Sequence, residues 1–81
     1  MPIRAVIFCQ VNHNSMKEVI EELRDIPEIK RVLSLTGDYD ILAEIEVNTS
    51  EELYQAFAER IDPIEGILRT NTHMIMKSFE K

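Results

Sequence analysis

The residues best suited to chemistry sit together in "TGDYD", Thr36 to Asp40, where one of only two glycines precedes an acid, an aromatic and a second acid. Two carboxylates and the exposed amides of a turn can hold an ammonium and a carboxylate at once, as binding a free amino acid requires. The same residues also make a plain hairpin corner. In that reading Gly37 supplies a positive φ, Asp38 suits a turn, Tyr39 lies across the hairpin end and Asp40 starts a strand. At this level both readings stay open.

Other chemistry has thinner support. His13 and His73 are the only histidines, and neither has a Cys or acid at a spacing that recurs in metal motifs, so each reads as a strand-end or sheet-face residue and no metal site is expected. Gly37 and Gly66 stand far apart, whereas a dinucleotide fingerprint or a P-loop needs clustered glycines, and no cofactor is predicted. Ser15, Ser34, Ser50 and Ser78 have cap or strand roles, and Cys9, inside an apolar run, reads as a small hydrophobe. Glu44 and Glu46 share one face of a strand; a general acid and base is possible there, but an exposed sheet face or an oligomer rim is the commoner use. No catalytic residue is assigned.

These side chains must be positioned by elements that the periodicity outlines. Residues 3–12 alternate, with Ile3, Ala5, Ile7, Cys9 and Val11 on one face and Arg4, Val6, Phe8, Gln10 and Asn12 on the other. A helix follows: Ser15 and Glu18 have capping-box spacing, Met16, Val19, Ile20 and Leu23 form a stripe, and Pro27 ends it. Residues 29–36 and 40–47 read as two strands separated by so few residues that only a hairpin can join them. Thr49 and Glu52 repeat the capping spacing before a second helix with the stripe Leu53, Ala56, Phe57 and Ile61, closed by Asp62-Pro63. Gly66 to about Lys77 reads as the last strand.

The order β-α-β-β-α-β predicts an α+β, ferredoxin-like fold, a four-stranded antiparallel sheet with both helices on one face, over a single domain of residues 1–81. The other face then exposes Val6, Phe8 and Leu42, and a second copy is its simplest cover, so a dimer joined through its sheets is predicted. At 81 residues the monomer buries only ~60–65% of its unfolded surface, which makes self-association a natural source of further burial.

Charge narrows the class of partners. Fifteen Asp and Glu against nine scattered Lys and Arg give a net charge of −6, the wrong sign and pattern for a phosphate-gripping surface, so no direct nucleic-acid binding is expected. The apolar opening residues are too few for a leader peptide and lack a cleavage site, no run approaches a membrane span, and a lone cysteine suits a reducing compartment; a cytoplasmic location is predicted.

The run "LTGDYDILAEIEV", Leu35 to Val47, followed by a helix and then by "DPIEGILRTNTHMIM", Asp62 to Met76, closely resembles the effector-binding RAM domain of the Lrp/AsnC family of feast/famine transcription regulators, over essentially the whole chain. The resemblance implies a ferredoxin-like fold, sheet-joined dimers assembled into rings as octamers or decamers, and an amino-acid effector held between neighbouring dimers. It would place Gly37, Asp38, Tyr39 and Asp40 in or beside that pocket, with the hydroxyl pair Thr70 and Thr72 of the last strand. In these roles Asp38 or Asp40 pairs with an amino group, Gly37 lets the loop amides approach, Thr70 and Thr72 donate to a carboxylate and Tyr39 closes the pocket. Regulators of this family carry an amino-terminal helix-turn-helix, while this sequence starts at Met1 directly on its first strand; it resembles a stand-alone RAM domain that modulates full-length Lrp/AsnC regulators by joining their rings. The rival expectation, from another class, is a small dimeric ferredoxin-like enzyme of the cofactor-free oxygenase or isomerase type, which would recruit His13 or His73 inside a subunit.

Overall fold

β1, Ile3–Val11, is the strand around which the rest assembles, because its alternation leaves one face wholly apolar: Ala5, Ile7, Cys9 and Val11 are all buried. In the computed structural model, which describes residues 2–81, β1 lies between two antiparallel neighbours in a four-stranded sheet. β2, Ile29–Ser34, and β3, Ile41–Val47, form the hairpin, and β4 spans Ile67–Met74. The strand order β2-β3-β1-β4 is the ferredoxin-like one expected from the sequence.

Both helices press on the same face. Val19 and Leu23 of α1, Met16–Arg24, and Leu53 and Ala56 of α2, Ser50–Ala56, join the inward residues of β1 and Ile41, Ala43, Ile45 and Val47 of β3 in one core. Burial of this kind contributes ~1.5–3 kcal/mol per large aliphatic side chain and holds the sheet rigid beneath its loops. The Cys9 thiol sits in that core, where burial pushes its pKa up to about 11 and leaves it a packing group.

The cap of α2 forms as the spacing predicts: Glu52 N donates to Thr49 Oγ1 at 3.1 Å, and Glu52 Oε1 accepts from Asn48 N at 3.0 Å. The cap of α1 does not. Ser15 ends a 3₁₀ turn, His13–Ser15, and makes no side-chain cap bond; Asn12 caps that turn instead, its Oδ1 accepting from Asn14 N at 3.1 Å. The reason is tertiary, since the Ser15 side chain packs directly against Gly66 at the head of β4. Past Ala56, α2 widens into a π turn, Phe57–Ile61, closed by Asp62 N donating to Phe57 O at 2.7 Å. That extra residue rotates Ile61 fully into the core.

Strand ends are shorter than periodicity suggests. β2 stops at Ser34, where the hairpin loop begins; β4 stops at Met74, with one further bond from Ile75 N to Arg4 O (2.8 Å), because its partner β1 begins at Ile3. A register shift between Gln10 and Val11 against β4 marks the end of β1 next to the hairpin tip.

Candidate functional site

The hairpin loop after β2 closes onto the end of β1. Gly37 adopts φ +100°, the left-handed value expected of its turn position. Asp40 then ties the loop down three ways: its N–H donates to Cys9 O (2.9 Å), its carbonyl accepts from Leu35 N (2.8 Å), and its Oδ2 accepts from Val11 N at 2.8 Å. The carboxylate thus stands in for the next residue of the β3 ladder, just where the shift in β1 occurs. Asp38, two residues earlier, is exposed and has no hydrogen-bond partner among the described residues.

Between this loop and the end of β1 lies an open cleft of about 550 Å³. It is lined by Gly37, Asp38 and Asp40 of the loop, by the run from Gln10 to His13 at the end of β1, and by Leu68 of β4. The structure therefore brings three of the six residues singled out from the sequence together in one concavity. Tyr39 leaves it, turning onto the open face of the sheet, where its ring meets Phe8 at 5.6 Å between centroids. There Arg69 Nη2 donates to Tyr39 Oη at 2.8 Å, and this bond, seconded by Asn71, lowers the phenol from its ordinary pKa.

Thr70 and Thr72 do not line the cleft. They stand opposite Cys9 and Ile7 and so project toward the helix side of β4, while their neighbours Arg69, Asn71 and His73 share the open face with Gln10, Phe8 and Val6. His73 packs edge-on against Phe8 at 5.7 Å. On the same face Glu44 is paired with Arg31 at 2.6 Å, which gives it a structural partner. From sequence Gln10 and Asn12 read as residues of the second face of the first strand and His13 as a strand-end or sheet-face residue; all three line the cleft where β1 ends in a register shift and a 3₁₀ turn, which no local pattern announces.

The Asp40 clasp makes a prediction of its own. Asp40→Ala leaves the part-buried Val11 N–H without an acceptor and is expected to cost about 1–3 kcal/mol of stability, whereas Asp40→Asn, which keeps an acceptor oxygen, costs less than half as much. Urea denaturation of the two variants checks this, and equal losses would show that the Val11 bond contributes little.

A family model described as the Lrp/AsnC ligand binding domain matches residues 4–81, nearly the whole chain. The chain belongs to the Lrp/AsnC ligand-binding domain family. Among its relatives is the HTH-type transcriptional regulator FL11 of Pyrococcus furiosus, 37% identical over 75 residues, an alignment that covers 93% of this chain and 49% of that protein. The chain spans about half the length of the curated Lrp/AsnC-type regulators that it first matches. The crystal structure of TTHA0845 from Thermus thermophilus superposes with a TM-score of 0.90 at 26% identity, covering 98% of this chain and 99% of that one. The fold is shared also with the transcriptional regulator NMB0573 of Neisseria meningitidis, solved as an L-Met complex, at TM-score 0.90 and 15% identity over 98% of this chain and 53% of that one. In this Lrp/AsnC domain the described residues include no helix long and apolar enough to cross a membrane and no cluster of three potential metal ligands.

Proposed function

We propose that this Lrp/AsnC domain senses a free amino acid at the hairpin-tip cleft, dimerises through the open face of its sheet and, in higher assemblies, modulates full-length Lrp/AsnC regulators without itself contacting DNA. The observation that carries the reading is the cleft, in which Gly37 and the unpartnered Asp38 face an opening large enough for an amino acid. Family membership supports it, as does the L-Met complex of the Neisseria relative. The open face supports dimerisation: Val6, Phe8, Leu33 and Leu42 form a half-buried apolar strip that a second sheet would cover.

In this reading Asp38 receives the effector's ammonium. Asp40, whose Oδ2 is already engaged, fixes the loop against β1, and Gly37 keeps the tip free of a side chain. Thr70 and Thr72, on the far side of β4, would reach an effector only across a contact between copies, which is where rings of dimers would place it.

Asp38→Asn tests the assignment. Asp38 is exposed and unpartnered, so the variant is expected to keep the parent's stability within ~0.5 kcal/mol. Its affinity for whichever of the twenty amino acids gives the parent its largest thermal shift falls by about 1.5–3 kcal/mol, the usual worth of a charge-assisted hydrogen bond. Undiminished affinity by calorimetry would return the loop to a plain turn.

A further inference from the structure

The cleft presents an asymmetry of charge that the hairpin motif does not contain. On the loop side it has two carboxylates: that of Asp40 is taken by Val11 N, and that of Asp38 makes no hydrogen bond among the described residues but lies in the field of Arg69. Among the residues that line the same cleft, His13 alone has a side chain that can carry a positive charge. His13 is exposed, at the first position of the 3₁₀ turn that Asn12 caps, and it makes no hydrogen bond among the described residues, so its ring is available. Thr70 and Thr72, the hydroxyls that the family resemblance would offer to a carboxylate, face away from this cleft.

A zwitterion needs both signs. A ligand bearing an ammonium and a carboxylate on one carbon can address both groups, its ammonium toward Asp38 and its carboxylate toward an imidazole N–H of His13. An amine without the carboxylate, or a 2-oxo acid without the ammonium, satisfies one group and leaves the other unpaired. We infer that His13 is the carboxylate-binding group of this site, and that the pair Asp38 and His13 makes it selective for α-amino acids over the corresponding amines and 2-oxo acids. The inference rests on the reading of the cleft as an amino-acid site and adds to it the residue that sets the ligand class.

The charged groups around the cleft are Asp38 and Asp40 of the hairpin loop and, on β4 beside it, Arg69, which feels the charge of Asp38 but donates to Tyr39.

The test uses the full chain, with the twenty standard L-amino acids as probes in a thermal-shift screen, followed by calorimetry on the strongest binder, its decarboxylated amine and its 2-oxo acid. The parent is expected to bind the amino acid more tightly than either analogue. His13→Gln binds the amino acid about fivefold more weakly, the scale of one exposed pair, and loses the preference over the amine. His13→Lys, which places a cation there, keeps that preference. His73→Gln, altered at the histidine of β4 on the open face, keeps the parent's affinities. His13→Gln with parental affinity, a loss of affinity in His73→Gln instead, or an amine bound as tightly as its amino acid overturns the inference. If Asp38→Asn alone weakens binding, the amino-acid site stands and the role of His13 falls; if none of the twenty amino acids binds the parent, both fall together.

Discussion

Gly66→Ala is expected to unfold most of the protein under conditions in which Gly37→Ala leaves it folded. Both glycines have φ near +100°, so any L-residue pays backbone strain of about 1–2 kcal/mol at either place. Their surroundings differ. A Cβ at Gly37 meets nothing within 4 Å, while one at Gly66 falls 2.5 Å from Ser15 Cβ, 2.8 Å from Ser15 Oγ and 3.2 Å from Val19 Cγ2. The first of these is a short, stiff side chain at the start of α1, and retreat of the strand is blocked because Gly66 O accepts from Asn12 N at 2.9 Å. Overpacking adds about 1–3 kcal/mol, for a total of roughly 2–5 kcal/mol. A chain of this length has only about 4–12 kcal/mol of stability to lose. Urea denaturation followed by circular dichroism reads the difference; equal midpoints for the two variants would mean that the contact between α1 and β4 at this point is soft.

The second large effect is expected at Phe8, in the middle of the open sheet face. Its ring is held between Tyr39 and His73 and stands opposite Leu42 and Asn71, so a charge there disrupts the aromatic cluster and the apolar strip together. If the strip is the dimer interface, Phe8→Asp buries an unpaired carboxylate twice, once per subunit, at several kcal/mol. The variant is expected to lose the dimer and most of its helical signal at micromolar concentration. Leu42→Lys, at the partner position on β3, is the milder probe and should weaken the dimer while a larger fraction stays folded. Light scattering coupled to size exclusion gives the mass directly. A Phe8→Asp protein that remains a folded dimer would rule out this face as the interface.

The apolar strip and the cleft meet at Tyr39, which joins the loop to the sheet face through Phe8 and Arg69. Under the proposed function, effector binding at Asp38 and packing on the open face would act on neighbouring residues of one short loop. Any coupling between effector and assembly must run in both directions, because binding linkage is reciprocal.

Much of this molecule was legible in its sequence, for a local reason. Alternation in "IRAVIFCQV" places every second residue inward regardless of what the rest of the chain does, and a proline ends a helix wherever it stands, so the element order and the two faces of the sheet followed from periods of 2 and 3.6. The short loop dictated a hairpin, and Gly37 had the positive φ that its turn required. The motif around Asp38 pointed to the Lrp/AsnC family, which the match over residues 4–81 establishes. What tertiary structure alone decided is whatever depends on two distant segments meeting in register. The period of a strand says which face a side chain takes but not which residue lies opposite, so the sequence could not separate Asp40, clasped to Val11, from Asp38, left free two residues away. Nor could it show that Ser15 would spend its side chain on Gly66 and leave the cap to Asn12, that a π turn would carry Ile61 inward, or that His13 would line one cleft with the hairpin tip. Each of these is set by contacts between residues far apart in the chain, whose geometry is fixed only when the core has closed.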